Sequence, residues 1–101
     1  MKLLKILFAA AVLTVTIQAH AVNRVEAAAY CAGNYHIIAD EALKRNRGDI
    51  YNSAKDAESY IYSKFVNAPG FQANYAAALA NKSLDWPTRG KLAVDCGNFG
   101  F

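Results

Sequence analysis

The sequence predicts an all-α protein, a small bundle of three to four helices closed by one disulfide. Apolar residues recur at steps of three and four, which is the spacing of a helix face rather than of a strand. Beyond the N-terminal apolar run, only Ile37 and Ile38 place two β-branched residues side by side. Two cysteines, Cys31 and Cys96, lie near the two ends of the remaining chain. Together these features favour helices tied by a covalent link.

The N-terminus has the pattern of a cleavable signal peptide. Lys2 and Lys5 precede an apolar run over residues 6–17, and Ala19 and Ala21 supply the small residues of a cleavage site. The run is shorter than the roughly 20 residues of a membrane helix but matches a signal peptide core. An uncleaved anchor is the alternative, although no second apolar run follows. We therefore expect a signal peptide over residues 1–21, a single helical domain over 22–101, a periplasmic or secreted location and no stable membrane anchor after cleavage.

Cleavage would change the charge and the metal chemistry of the chain. Of the 11 basic residues, Lys2 and Lys5 lie in the leader. After cleavage the chain would retain nine basic and 8 acidic residues, which lowers the net charge to about +1. Binding to nucleic acid is therefore not expected. His20 also leaves, and His36 alone cannot form a histidine metal cluster. No metal site and no cofactor are expected.

Export would place the two cysteines in an oxidising compartment, where pairing is expected. No Cys-x-x-Cys spacing is present to activate a thiolate, so a structural disulfide is favoured over a redox role. In the chain-entropy model, closing so long a loop destabilises the unfolded state by roughly 4 kcal/mol. We expect the Cys31–Cys96 disulfide to join the first helix to the last.

The first helix is predicted between Asn23, which can cap it, and Gly48, which can end it. Its buried stripe is formed by Ala28, Cys31, Tyr35, Ile38 and Ala42. Gly33 interrupts the middle, and close packing of another helix would explain a glycine there. The basic residues near its end, Lys44, Arg45 and Arg47, are interpreted as solvated charges at the negative pole of the helix rather than as a dedicated anion site.

A second helix is predicted to start at Asp49 and to end before Pro69. Its stripe consists of Ile50, Ala54, Ala57, Ile61 and Phe65. A third helix is expected over residues 71–81, presenting Phe71, Tyr75, Ala78 and Leu79 to the core.

Asp85 can cap a fourth helix with Pro87 in its first turn, and Gly97 can end it. Residues 98–101 are expected to be a loosely docked tail. The predicted core consists of Tyr35, Ile38, Ile61, Phe65, Leu79, Trp86 and Leu92.

Catalytic chemistry is not indicated by the sequence. No motif places a serine or a free thiol beside His36, so a structural histidine is favoured over a general base. Asp40 and Glu41 are neighbours in sequence and would point in different directions on a helix. Asp56 and Glu58, two residues apart, are equally poor partners for acid and base catalysis. We therefore do not expect an enzyme.

Tyrosine usage gives the clearest indication of a binding surface. All 6 tyrosines follow the leader, which is more than a small core can bury, although tyrosines at the rim of the core would explain many of them. Exposed tyrosine is enriched at protein interfaces. Tyr51, Tyr62 and the edge formed by Asp40 and Glu41 are the candidate partner-binding residues.

The first helix contains two short motifs, Tyr30-Cys31-Ala32-Gly33 and Ala39-Asp40-Glu41-Ala42-Leu43. Their residues and spacing resemble the first helix of the Tai-type immunity proteins. The resemblance implies a small periplasmic helical protein with a disulfide that binds and blocks a peptidoglycan amidase toxin.

The sequence therefore supports two alternative functions. The first is a non-catalytic protein-binding or inhibitor module of the immunity-protein type, with one secreted or periplasmic protein as partner. The alternative is an envelope-associated structural or stress protein.

Overall fold

The chain forms four helices with no strand among residues 24–101, the part that the computed structural model describes. They are α1 (Arg24–Lys44), α2 (Gly48–Phe65), α3 (Phe71–Ala80) and α4 (Trp86–Phe99). The predicted all-α class is confirmed. The proposed signal peptide and the cap at Asn23 lie outside the described residues. None of the four helices combines the length and the apolar character needed to cross a membrane.

Helix α1 is the central element, because each of the other three helices packs against it. Its predicted stripe is buried, except that Tyr35 is half-buried. Further small residues on α1 are buried as well, namely Ala27, Ala29, Ala32 and Ala39. A helix surrounded by three others buries more than one stripe, and small side chains let the neighbouring backbones approach closely.

The glycine in the middle of α1 marks the contact with α3. A Cβ atom built on Gly33 would lie 2.5 Å from the Cβ of Ala78 and 3.5 Å from the carbonyl oxygen of Tyr75. The expectation that another helix packs closely at Gly33 is confirmed.

The turn between α1 and α2 differs from the prediction. Helix α1 ends at Lys44, and the left-handed residue that follows is Asn46, with φ of 59°. The amide of Arg47 donates to the carbonyl of Ala42 at 2.8 Å, which closes the turn. Gly48 therefore does not end α1. It is the first residue of α2, one position before the predicted start, because asparagine tolerates the left-handed conformation.

Most of the large side chains in the predicted core are less buried than expected. Ile38 and Ile61 are buried, but the other predicted core residues are half-buried, namely Tyr35, Phe65, Leu79, Trp86 and Leu92. Phe71, at the start of α3, is fully buried, which confirms its predicted place in the core. It directly follows Gly70, whose φ of 89° turns the chain into the helix. Alanines of α1 occupy the remaining interior, since close helix packing leaves little room for larger side chains.

Helix α4 begins as predicted and ends later. Asp85 Oδ1 accepts a hydrogen bond from the Thr88 amide at 2.9 Å, which confirms the cap. The helix passes through Gly97, contrary to the prediction, and ends at Phe99, where Gly100 has φ of 85°. Gly97 has ordinary helical geometry, and so the residue that changes the chain direction is Gly100.

The expected loose tail is also wrong. Phe101 is only 8% exposed and belongs to the main core cluster. Its ring lies 5.9 Å from that of Phe65 and 4.5 Å from that of Phe99. Arg24 Nη2 donates to the Gly100 carbonyl at 2.8 Å, and Lys64 Nζ donates to the Phe101 carbonyl. The left-handed Gly100 turns the chain back, so that Phe101 reaches the core.

The disulfide between Cys31 and Cys96 is formed, with the two Cα atoms 5.8 Å apart. Both residues are buried in the main core cluster, which also contains Phe71 and Phe101. The predicted link between the first and last helices is confirmed.

Candidate partner-binding groove

A groove of about 340 Å³ lies where the C-terminal half of α1 meets the α3–α4 loop and the first turns of α4. Its lining combines three apolar and six charged residues, namely Ile37, Asp40, Glu41, Lys44, Arg45, Lys82, Leu84, Trp86 and Arg89. The volume is at the lower end of that of small-ligand sites and would accept a few side chains.

Helix periodicity positions the two walls of the groove. Ile37, Asp40 and Lys44 follow one another at steps of three and four, so they share one face of α1. On the other wall, the cap at Asp85 fixes the start of α4. Trp86 and Arg89, three residues apart, then lie on the same face of α4.

Trp86 joins the groove to the interior. Its ring is half-buried and packs against a core cluster of Ile38, Ala39 and Ala54. The Arg45 guanidinium lies over this ring, with its Cζ 4.5 Å from the centroid. Arg45 Nε also donates to Glu41 Oε2 at 3.1 Å. Two contacts therefore hold Arg45 at the edge of the groove.

Arg89 is the most deeply buried charge of the groove, only 5% exposed. Its Nη1 donates to Asn34 Oδ1 at 2.9 Å and its Nη2 to the Asn81 carbonyl at 2.7 Å. Asn34 Nδ2 donates in return to the Arg89 carbonyl at 3.2 Å. Burial lowers the pKa of Arg89, an effect that Tyr30 partly offsets. Within residues 24–101 no carboxylate forms an ion pair with this guanidinium.

Two of the four predicted partner-binding residues line this groove. Asp40 is exposed, and its Oδ2 lies 3.6 Å from Nε2 of His36. Glu41 instead accepts from Arg45. The two carboxylates thus have different partners, as their adjacent positions on a helix predict.

The two predicted tyrosines lie outside the lining of the groove. Tyr51 is half-buried and packs against the cluster formed by Ile38, Ala39 and Ala54. The ring of Tyr62 is 5.4 Å from that of Phe71 and 5.3 Å from that of Tyr75. The Tyr62 hydroxyl accepts from Gln72 Nε2 at 3.1 Å. A role in partner binding remains a prediction for both tyrosines, and neither lines the groove with Asp40 and Glu41.

A second polar cluster surrounds Glu58, which is 7% exposed. Its Oε2 is 3.0 Å from His36 Nδ1 and accepts from the Tyr75 hydroxyl at 2.6 Å. Its Oε1 accepts from Lys55 Nζ at 3.1 Å. Burial raises the pKa of Glu58, but the hydrogen bonds from Tyr75, Lys55 and His36 outweigh this and leave the pKa lowered. Burial and the bond to Glu58 raise the pKa of Tyr75.

The cluster joins three helices, with His36 on α1, Glu58 on α2 and Tyr75 on α3. His36 thus contacts the carboxylates of both Glu58 and Asp40. A structural role for His36 remains a prediction. In the described part of the chain, no group of three or more histidine, cysteine, aspartate or glutamate residues could hold a metal ion.

Among the lining residues, only Asp40 and Glu41 were predicted as binding residues, and Trp86, Lys82 and Arg89 on the opposite wall were missed. The available signal was Asn34, a polar residue within the mostly apolar first helix. A buried asparagine requires a hydrogen-bonding partner, and Arg89 supplies it.

Comparison with known proteins leaves the family of the chain open. No protein-family model, curated protein or solved structure matches the sequence or the fold. The assignment of function therefore rests on the groove, the disulfide and the features of the sequence.

Proposed function

We propose that this protein is an exported, non-catalytic protein-binding module that inhibits one secreted or periplasmic protein. The observation that carries the proposal is the groove between α1 and α4, where apolar and charged side chains meet. Tryptophan and arginine are the residue types most enriched at energetic centres of interfaces, and here Arg45 stacks on Trp86. Such a stack offers a partner a rigid, half-buried contact at low entropic cost.

Export is supported by two independent features. Residues 1–21 have the pattern of a signal peptide. The only cysteines of the chain, Cys31 and Cys96, form a buried disulfide. Disulfides persist in oxidising compartments and are rare in the cytosol. The periplasm is the proposed compartment.

The inhibitor class rests on the resemblance of residues 30–43 to the Tai-type immunity proteins. This segment of α1 carries Cys31 and Gly33, which build the fold, and Asp40 and Glu41, which line the groove. The resembling segment therefore reaches the proposed binding surface. On this basis we propose a peptidoglycan amidase toxin as the class of partner.

Affinity capture tests the proposal. The oxidised protein would be immobilised and exposed to proteins of the cell envelope and the secreted fraction. We expect one specific protein to be retained, and Leu84→Ser, which removes an apolar lining residue, to weaken its retention. Leu43→Ser is the matched control, because Leu43 is 55% exposed on α1 and does not line the groove.

Retention of no specific protein, or equal loss with both variants, would contradict the proposal. The envelope stress role would then be the remaining alternative. A deletion strain should in that case be sensitive to acid, detergent or osmotic challenge.

A further inference from the structure

The charges of the groove are unbalanced once its internal ion pair is taken into account. Glu41 and Arg45 neutralise each other through their 3.1 Å contact. Lys44 and Lys82 are exposed and form no ion pair within residues 24–101. Together with Arg89 they face a single remaining carboxylate, that of Asp40. The groove is therefore locally cationic, although the domain as a whole is nearly neutral.

Arg89 is the second observation that indicates an anionic ligand. A buried charge is costly unless it is paired, and the two acceptors of Arg89 described above are neutral amide oxygens. A carboxylate placed in the groove would supply the missing opposite charge.

Resting on the proposed function, we infer that the groove binds an acidic segment of the partner protein. One carboxylate of that segment lies at the Arg89 side of the groove, where its charge offsets that of the guanidinium, and neighbouring carboxylates lie near Lys44 and Lys82. The partner is thus recognised by clustered aspartate or glutamate side chains.

The composition of the groove favours a peptide over a nucleic acid or a free anion. Ile37, Leu84 and Trp86 offer apolar contacts that suit the methylene groups of a peptide.

A hexaglutamate peptide is the probe for the first test, titrated into the ¹⁵N-labelled oxidised protein and followed by NMR. The single tryptophan gives one indole signal, and the Nε–H group of Arg89 gives a second reporter. We expect both signals to shift in a saturable, salt-sensitive manner. Hexaglutamine should cause no such shift.

Charge variants identify the surface. Lys44→Glu and Lys82→Glu, combined, should weaken binding of hexaglutamate by about tenfold. Lys91→Glu is the matched control, since Lys91 is exposed on α4 but does not line the groove, and it should have little effect. Asp40→Asn should tighten binding, because it removes the opposing carboxylate. Arg89→Met should abolish binding, and the lysine variants test the inference even where Arg89→Met fails to fold.

Three results would overturn the inference: no saturable shift with millimolar hexaglutamate, equal weakening by the control variant, or tighter binding of oligothymidine than of hexaglutamate. These results are separable from the proposed function. A partner captured by the wild-type protein and lost with Leu84→Ser would still support protein binding, while showing that its recognition does not depend on acidic side chains.

Discussion

Gly33 shows how one residue of the sequence determines the spacing of two helices. Because an added Cβ would lie 2.5 Å from Ala78 Cβ, Gly33→Ala must push α1 and α3 apart. We expect the free energy of unfolding to fall by about 1–3 kcal/mol, despite the better helix propensity of alanine. Chemical denaturation measures this change.

Gly97→Ala is the matched control for that experiment. No atom lies within 4 Å of a Cβ at Gly97, which is helical and exposed. The substitution should leave stability unchanged or raise it by up to about 1 kcal/mol. Equal destabilisation by both variants would contradict the close approach at Gly33.

Glu58 should make stability depend on pH. Its pKa in the folded protein is below the ordinary value of 4.5, so the folded state binds the proton less readily than the unfolded state. The stabilisation is therefore complete above the ordinary pKa and is lost as the pH falls through the folded value. Glu58→Gln should lower stability at neutral pH by about 1–3 kcal/mol and flatten its decline in acid.

Denaturation at neutral pH and at acidic pH tests that prediction. Some decline in acid should persist in the variant, because hydrogen bonds from Thr88 and Arg47 lower the pKa values of Asp85 and Asp49. An acid decline as steep as in the wild type would show that Glu58 does not contribute to it.

At the residue scale, the sequence predicted the role of an individual residue better than it predicted contacts between residues on different helices. Local arguments alone predicted the packing role of Gly33, which the close approach of Ala78 confirms. The sequence did not predict that the side chains of Tyr75, Lys55 and His36 would contact the Glu58 carboxylate. These contacts depend on how three helices pack. Arg89 was missed for the same reason, since its partner Asn34 lies 55 residues away.

At the element scale, helical periodicity predicted all four helices, while glycine was an unreliable marker of their ends. Gly48 and Gly97 both lie inside helices, and within residues 24–101 the left-handed positions are Asn46, Gly70 and Gly100. A glycine permits the left-handed conformation without requiring it. Tertiary contacts, such as that of Phe101 with the core, decide which glycine ends a helix.

The covalent link between α1 and α4 is testable directly. Cys31→Ser should lower the free energy of unfolding by roughly 4 kcal/mol, since the disulfide closes a separation of 65 residues. The released Cys96 should become alkylatable after unfolding without reductant. The wild type in a reductant should approach the melting temperature of the variant, and an unchanged melting temperature would refute this stabilising role.

The docking of the α4 end gives a second test at this scale. Phe101→Ala removes a ring that is 8% exposed and should cost about 3 kcal/mol or more. Val94→Ala is the control, because Val94 is 63% exposed on α4 and should change stability little. Equal small effects from both variants would indicate that residue 101 does not pack in the core.

At the scale of the whole molecule, the bundle arranged around α1 forms a charged groove beside a half-buried tryptophan. Asp40 and Glu41, at one rim of this groove, were predicted from the sequence as candidate partner-binding residues. The sequence could not anticipate the opposite wall, because Lys82 and Arg89 reach the groove only through the turn between α3 and α4. The proposed binding surface is therefore a property of the assembled helices rather than of any segment alone.

Site-specific photocrosslinking in the producing cell tests the central claim most directly. A photoreactive amino acid would replace Lys82, which lines the groove, or Lys91, which does not. We predict one discrete crosslinked partner from position 82 and none from position 91. A discrete partner from position 91 with none from position 82 would contradict binding through the groove.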